Sequence, residues 1–250
     1  MKSAWAARAA CALALIAIAG TRPAAAVDAL TPQQKSAVDQ AIHDYIESHP
    51  EVVLDALRAA QKKLDAEALE EARRVIIEKH DELFADPDDL VQGDPKGDAT
   101  IVEFFDYRCP YCKEVEPSLE ALVKQDPKLR IVYKEFPILG EPSVFATHVA
   151  LASRRHGKYP EFHRAMMAAK GEIDDDKVMK IAASVGLDPA VIKAELASPE
   201  IERIIRANYA LGDLLGLQGT PGIVIGDALI PGAVDIDTLR ESVAAARKGE

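Results

Sequence analysis

Cysteine is scarce in this chain, and basic side chains do not outnumber acidic ones. The 250 residues include three cysteines, and the net charge is −11. So few cysteines exclude a scaffold held together by several disulfide bridges. The acidic excess argues against nucleic acid or an anionic membrane as a partner.

Long hydrophobic runs are also absent. An apolar run near the N-terminus covers residues 9–20, follows a basic start and precedes three alanines at 24–26. It is too short for a membrane-spanning helix, which needs about 20 apolar residues. This order of basic, apolar and small residues is typical of a secretory signal peptide. We therefore predict that residues 1–26, with Cys11, are cleaved on export to the periplasm.

Glycine is missing from residues 31–83, which are rich in alanine, glutamate, lysine and arginine. Thr31, Pro32 and Gln34 form the capping signature of a first helix. A serine and a proline just before residue 51 repeat this signature. They predict a second helix over residues 51–83 that is roughly 50 Å long.

The second helix carries an imperfect heptad pattern of apolar residues. The positions are Val53, Leu57, Ala60, Leu64, Ala68 or Leu69, Ala72, Ile76 and Leu83. One domain cannot cover a helix of this length, so we interpret residues 27–84 as an oligomerisation segment covered by further copies of the chain. The alternative is a helical hairpin folded back on its own domain. Residues 85–98 are rich in turn signals and predict a linker with the first edge strand, with a flexible hinge within 84–98.

The remaining residues, 99–250, alternate between strand and helix patterns and predict an α/β fold. The predicted strands cover 101–107, 129–136, 223–227 and 228–230, and the predicted helices cover 110–124, 237–247 and several short segments within 143–217.

Cys109, Pro110, Tyr111 and Cys112 follow directly on the first of these strands. Two cysteines at this spacing can be a redox pair, half of a zinc site or a structural bridge. A bridge would close a very small loop and stabilise little, because the gain grows with loop length. Zinc needs two further ligands, and none of the six histidines occurs in a paired spacing. We therefore favour the redox pair.

The position of the pair at a predicted helix start assigns a role to each cysteine. With Pro110 in the first helical position, Cys109 becomes the N-cap residue. Its sulfur then lies beside free N–H groups and the positive end of the helix dipole, which favour the thiolate. Cys112 lies one turn further on the same face. We predict that Cys109 is the nucleophile and that the more buried Cys112 is the resolving thiol.

Glu103 interrupts the apolar strand six residues before Cys109. If it is buried there, its carboxyl has a raised pKa and can relay a proton to the resolving thiol. The alternative is that Glu103 points outward on a strand at the edge of the sheet.

Residues 101–112, the helical region after the second strand and the segment Gly219-Thr220-Pro221 together resemble the DsbA family of the thioredoxin superfamily. The resemblance covers roughly residues 90–248. It implies a thioredoxin fold with a four- or five-stranded sheet, a helical insert at about 138–210 and a cis proline at Pro221 that faces the cysteines. It also implies that Thr220 offers backbone groups to an extended substrate, and that no cofactor is used besides the redox-active Cys109–Cys112 disulfide.

The whole chain is similar to the group of suppressor-of-copper-sensitivity C (ScsC) and Com1-type proteins. These share a signal, a helical segment and a DsbA-like domain. The similarity implies a periplasmic disulfide isomerase for exported proteins that forms a homo-oligomer, with a trimer favoured over a dimer. It further implies a membrane thiol reductase as partner. Tyr111 stands where the DsbA oxidase has a histidine, so we expect a less oxidising cysteine pair. Thr220, which precedes the proline, resembles the dimeric disulfide isomerase DsbC more than the DsbA oxidases.

Two other functions remain open. A monomeric DsbA-like dithiol oxidase would use the same cysteines. A copper(I)-binding protein would also use Cys109 and Cys112, because soft thiolates select that ion, and the similarity to ScsC links the chain to copper tolerance. The sequence has no Met-rich or His-rich tract, which counts against a dedicated copper carrier.

Overall fold

The computed structural model describes residues 30–249, so the predicted signal peptide lies outside the described residues. The helices are α1 (Pro32–Ser48), α2 (Glu51–Glu78), α3 (His80–Phe84), α4 (Pro110–Gln125), α5 (Glu141–Arg154), α6 (Tyr159–Ala168), α7 (Asp175–Ser184), α8 (Pro189–Glu195), α9 (Pro199–Leu214) and α10 (Ile236–Lys248). The strands are β1 (Leu90–Gly93), β2 (Ala99–Phe105), β3 (Leu129–Glu135), β4 (Gly222–Ile225) and β5 (Ala228–Pro231). None of the helices described is both long and apolar enough for a membrane crossing.

The chain divides into two compact units between Arg58 and Ala59. In the first unit α1 begins as predicted, because the Thr31 hydroxyl accepts from the Gln34 N–H and the Gln34 side chain accepts from the Thr31 N–H. Every residue from 30 to 71 is exposed. The large exposed apolar side chains of this segment are Leu30, Val38, Ile42, Tyr45, Ile46, Val52, Val53, Leu54, Leu57, Leu64 and Leu69. Apolar surface of this extent is typical of an interaction surface.

The second unit is built on a five-stranded mixed sheet in the order β1-β3-β2-β4-β5. The central strands β2 and β3 run parallel, and β1, β4 and β5 each pair antiparallel with a neighbour. Both central strands are buried on both faces, as their apolar sequences predict. The tight β4–β5 hairpin is also confirmed. The helical insert α5–α9 lies between β3 and β4 in the chain, close to its predicted limits.

Each face of the sheet has its own helical layer. Ile101 and Phe105 of β2 face α4, α10 and the insert. Val102 and Phe104 face the opposite layer, which consists of the end of α2 together with α3 and α9. Residues of β2 that differ by one position therefore belong to different cores, as strand geometry requires. Glu103 is on the same face as Ile101 and Phe105, the face that α4 covers.

The predicted length of the second helix is wrong at its C-terminal end. The helix ends at Glu78 instead of Leu83, and the short helix α3 follows. Ala72, Ile76 and Leu83 were assigned to the oligomerisation surface, but they are buried against the sheet of their own unit. A heptad pattern shows that one helix face is covered without showing what covers it, and here the covering surface changes along α2.

Residues 85–98 contain the predicted edge strand, as β1 at the edge of the sheet, but the segment around it is packed against the rest of the second unit instead of forming the predicted hinge. Phe84 and Leu90 are buried, and β1 pairs with β3 along its length. The segment is fixed further by the fully buried Lys134, whose ammonium lies 2.7 Å from the Asp89 carboxylate and donates to the Glu82 carbonyl at 2.6 Å. Proline, glycine and aspartate are equally typical of tight turns and of flexible linkers. Composition alone therefore did not distinguish a fixed turn from a hinge.

The buried ion pair between Lys134 and Asp89 makes the attachment of β1 testable. Asp89→Leu is expected to lower the free energy of unfolding by about 3 kcal/mol, because it leaves the buried ammonium with only the more exposed Asp86 carboxylate, 4.0 Å away. Adding Lys134→Met should recover most of that loss, because no unpaired charge then remains. Denaturant unfolding of the reduced protein measures both changes. Equal losses in the single and double variants would contradict this account.

Candidate active site

The cysteine motif begins in the turn between β2 and α4, and Asp106 organises this turn. The Asp106 carbonyl accepts from the Cys109 N–H at 3.0 Å. Its buried carboxylate accepts from the Arg108 N–H at 2.7 Å, from the Ser143 hydroxyl at 2.8 Å and from the Leu139 N–H at 3.0 Å. One side chain therefore joins the motif to the loop after β3 and to the start of α5.

Cys109 is the N-cap residue of α4, with an extended backbone, and Pro110 occupies the first turn, as predicted. Both cysteines are free thiols. Cys109 is 3% exposed and Cys112 is 0% exposed, so the predicted order of burial holds. Tyr111, between them, is 60% exposed and forms part of the surface around the site.

The two thiols have pKa values displaced in opposite directions. The pKa of Cys109 is lowered to about 6, chiefly by a hydrogen bond from the Cys112 thiol. Contacts with Thr220 and the N–H groups of Tyr111 and Cys112 add to this, while burial opposes it. Burial raises the pKa of Cys112 far above its ordinary value. At neutral pH the pair therefore consists of one thiolate and one thiol.

Thr220 and Pro221 lie opposite the cysteines, in the loop that connects α9 to β4. Their peptide bond is cis, in agreement with the expectation. The Thr220 carbonyl lies 3.1 Å from the Cys109 sulfur and accepts a hydrogen bond from it when Cys109 is protonated. The structure thus brings together residues that are more than a hundred positions apart in the sequence.

Glu103 is fully buried on the inner strand β2, so the alternative of an outward position at a sheet edge is wrong. Neither of its carboxylate oxygens has a hydrogen-bond partner among the described residues. Its pKa is raised well above the ordinary value, first by burial and then by the charges of Glu116 and Cys109. A carboxyl held in this way binds a proton more tightly than an ordinary glutamate does.

Lys113 connects the catalytic helix to the insert. Its ammonium donates to the carbonyls of Met166 at 2.6 Å and Ala169 at 2.9 Å, at the end of α6. Burial lowers the pKa of Lys113 to about 8. The amine lines a cleft of about 650 Å³ between α4 and the segment after α6, together with Pro117 and Met167.

Sequence reasoning did not identify Asp106, Lys113, Glu116 or His163 as parts of this site. Glu116 has a weak signal in the sequence, because it lies one helical turn after Cys112 and so on the same face. His163 has none, since it comes from the distant α6, and its Nε2 lies 3.7 Å from a Glu116 oxygen only in the folded chain. Within the part of the chain that the structure describes, no group of three or more histidine, cysteine or acidic side chains is arranged to hold a metal ion.

The sheet with its insert, the reactive N-cap thiol and the cis-proline loop define a thiol–disulfide oxidoreductase of the thioredoxin superfamily. Residues 100–244 match the DSBA-like thioredoxin domain, and the chain belongs to that family.

Solved structures agree with this assignment. A thioredoxin-like oxidoreductase from Silicibacter pomeroyi is 46% identical, over 67% of this chain and 97% of that one, with a TM-score of 0.66. ScsC from Proteus mirabilis, in a transitional conformation, is 29% identical over 89% of this chain and 99% of its own, with a TM-score of 0.65.

This chain matches a smaller share of the length of its curated relatives. The thiol:disulfide interchange protein DsbA of Bordetella parapertussis is 28% identical over 53% of this chain and 66% of the relative. The Na(+)/H(+) antiporter NhaA 1 of Salinispora arenicola is 28% identical over 66% of this chain but only 26% of the antiporter. The chain thus spans about a quarter of the length of such antiporters.

The contribution of Cys112 to the thiolate is testable by substitution. Cys112→Ala is expected to raise the pKa of Cys109 from about 6 towards that of a free thiol, because the main hydrogen-bond donor is lost. Cys112→Ser keeps a donor and should preserve most of the depression. Ultraviolet absorbance of the thiolate during a pH titration measures both values, with Cys109→Ser as the blank. Equal pKa values in the two Cys112 variants would contradict the assignment.

Proposed function

We propose that this protein is a periplasmic disulfide isomerase or reductase that acts on exported proteins. The observation that carries the proposal is the opposite displacement of two thiol pKa values within one helical turn. Isomerisation and reduction both start with a thiolate that attacks a disulfide, and Cys109 supplies that species at neutral pH.

The proposed reaction begins when the Cys109 thiolate attacks a substrate disulfide. A mixed disulfide forms, and one substrate sulfur leaves as a thiolate. In isomerisation, another substrate thiolate attacks the mixed disulfide and regenerates the Cys109 thiolate. In reduction, Cys112 attacks the Cys109 sulfur, its proton passes to the Glu103 carboxylate, and the second substrate sulfur leaves. Glu103 thereby acts as the proton acceptor that the buried Cys112 needs.

The proposed substrate contact is the loop of Thr220 and Pro221. Its carbonyl at Thr220 lies beside the reactive sulfur, where an extended substrate segment can pair with the backbone. Tyr111, the second residue after Cys109, contributes an exposed aromatic surface next to the motif. Tyrosine adds no positive charge near the thiolate, which supports a less oxidising pair than one with histidine at this position.

The exposed helical segment supports an oligomeric enzyme, and it is the similarity to the ScsC group that favours a trimer over a dimer. Its apolar side chains up to Leu69 have no cover within the described chain. The ScsC relative covers 89% of this chain, a share too large to omit the helical segment. Several active sites joined in this way raise the effective concentration of thiols around one misfolded substrate. A membrane thiol reductase that keeps Cys109 and Cys112 reduced completes the proposal.

The oligomerisation surface is testable with matched charge variants. Leu57→Glu combined with Leu64→Glu should reduce the light-scattering mass to that of one chain, because it places charges on the apolar face. Reactivation of scrambled ribonuclease should then fall about tenfold or more, since the gain in effective concentration is lost. Ala59→Glu combined with Ala66→Glu adds the same charge beside that face and should preserve both properties. A wild-type mass of one chain would refute the assembly.

The direction of electron flow is testable in cells. The alternative, a monomeric DsbA-like oxidase, is favoured by the similarity to the Bordetella protein. An isomerase or reductase must be kept reduced, so acid trapping and alkylation should find Cys109 and Cys112 mostly as thiols. A Cys109→Ser variant identifies the band of the unpaired Cys112. Mostly oxidised cysteines would indicate the oxidase instead.

Copper(I) binding is a second role that the geometry allows. Two sulfurs within one helical turn provide a pair of soft ligands, and one of them is already ionised. The same thiolate serves disulfide exchange, so copper would compete with substrate for Cys109.

A further inference from the structure

The cleft between α4 and the end of α6, called here the α4–α6 cleft, has no role in the proposed reaction, although it begins at the cysteine motif. Arg108 and Pro110, the two chain neighbours of Cys109, both line it. A polypeptide joined to the Cys109 sulfur therefore has this cleft directly beside it. The lining residues do not include the loop of Thr220 and Pro221, so the cleft is a separate surface from the proposed backbone contact.

The size and the walls of the α4–α6 cleft suit a side chain of a bound polypeptide. Its volume of about 650 Å³ lies within the range of about 300–1,000 Å³ that is typical of ligand pockets. Met167 and Ile173, both almost fully buried, give it an apolar wall on the side of the insert. Pro117 contributes a further apolar surface from α4.

The basic side chains of the cleft have no carboxylate partners within residues 30–249. Arg164 and Lys170 are exposed, and neither side chain has a hydrogen-bond or ion-pair partner among those residues. Arg108 donates to the Leu139 carbonyl at 2.6 Å, and Lys113 donates to carbonyls at the end of α6. These contacts with neutral carbonyls leave both charges uncompensated.

Arginines elsewhere in the described chain differ from those of the cleft. Apart from Arg130, every arginine outside the cleft pairs with a carboxylate. A chain with a net charge of −11 offers many such partners. Arg108 and Arg164 remain without one, and they lie together at one opening beside the reactive sulfur. Unpaired cations gathered in a cleft attract anions from solution.

Three carboxylates also line the cleft and partly offset these cations. Glu116 is 5% exposed and lies 3.4 Å from the Tyr133 hydroxyl, so it is largely removed from the opening. Glu120 lies 3.5 Å from the ammonium of Lys124, which does not line the cleft. Glu172 is exposed and offsets one cation. The part of the cleft that solvent reaches therefore keeps an excess of positive charge.

We propose that the α4–α6 cleft is a substrate subsite, which takes an acidic side chain close in sequence to the substrate cysteine that Cys109 attacks. The inference rests on the proposed function, because it names a feature of the substrates of the Cys109 thiolate. Arginine suits this role, since its planar guanidinium can bind a carboxylate through two parallel hydrogen bonds. Acidic segments are otherwise repelled by a protein with an acidic excess, so the subsite extends the range of disulfides that the enzyme attacks.

The test measures the attack of Cys109 on three model peptides. Each peptide carries one cysteine as a mixed disulfide with thionitrobenzoate, and the cysteine is flanked on both sides by aspartate, by asparagine or by lysine. The Cys109 thiolate attacks the peptide sulfur, a new disulfide forms between the two, and thionitrobenzoate leaves as a coloured thiolate of low pKa. Its absorbance gives the rate constant for the reduced protein at neutral pH.

The aspartate peptide should react about threefold to tenfold faster than the asparagine peptide at low salt, a range that one or two exposed ion pairs can supply. Added salt should reduce this preference. The net charge of the protein favours the opposite order, because an acidic protein attracts the lysine peptide. Reaction of each peptide with dithiothreitol corrects for its own reactivity. A corrected rate for the lysine peptide that equals or exceeds that of the aspartate peptide would overturn the inference.

Substitution of the two exposed cations should remove the preference. Arg164→Gln combined with Lys170→Gln should bring the rate of the aspartate peptide down to that of the asparagine peptide, because the carboxylate partners are lost. Arg164→Glu combined with Lys170→Glu should make the aspartate peptide the slowest of the three. An unchanged preference in both double variants would place the selection elsewhere and contradict the subsite.

Lys180→Gln combined with Lys193→Gln is the matched control. These lysines also lie in the insert, on α7 and α8, and are exposed, but they do not line the cleft. Their loss changes the net charge by the same amount, and the preference for the aspartate peptide should persist. If the control lost the preference as fully as the cleft variant, the effect would belong to the overall charge and the inference would fail.

The asparagine peptide separates this inference from the proposed function. If the wild-type protein reacts with it as slowly as the Cys109→Ser variant does, the proposed role of the Cys109 thiolate fails, and the subsite fails with it. If the wild-type protein reacts quickly with all three peptides and does not distinguish them, only the subsite fails.

Discussion

The site depends on holding one sulfur ionised at the start of a helix. Pro110 fixes the first turn of α4, Cys109 takes the cap position, and the Cys112 thiol donates the hydrogen bond that matters most. The same arrangement buries Cys112 and raises the pKa of its thiol, so this thiol is hard to ionise. A nearby base is therefore needed wherever Cys112 attacks a mixed disulfide, and Glu103 is a carboxyl that the fold places on that face of the sheet.

The central strands are buried on both faces, and this determines how the polar residues of the core are paired. Strands β2 and β3 are covered on both sides, so any polar residue on them is removed from water. On one face Lys134 is neutralised by Asp89 and so fixes β1. On the other face Glu135 accepts hydrogen bonds from three hydroxyl groups, whereas Glu103 has no hydrogen-bond partner among the described residues. The fold thus supplies donors to the Glu135 carboxyl but none to the Glu103 carboxyl.

Much of this architecture follows from local sequence, and the exceptions have a common physical reason. The cap at Thr31, the strand before Cys109 and the β4–β5 hairpin are encoded within a few residues, so their prediction succeeded. The cis peptide at Pro221 required the resemblance to a known family. The end of α2 and the fixed segment 84–98 were mispredicted because periodicity and composition do not identify the covering partner. The contact between Glu116 and His163 joins two helices far apart in the chain and has no local signature.

Lys113 connects the helical insert to the helix that carries the two cysteines. Its ammonium is bonded to the end of α6, and it directly follows Cys112 in the chain. The adjacent cleft is lined by Lys113 and by the segment after α6. Any movement of α6 that displaced the Lys113 ammonium would therefore also displace the first turn of α4, where the donors to the Cys109 sulfur lie.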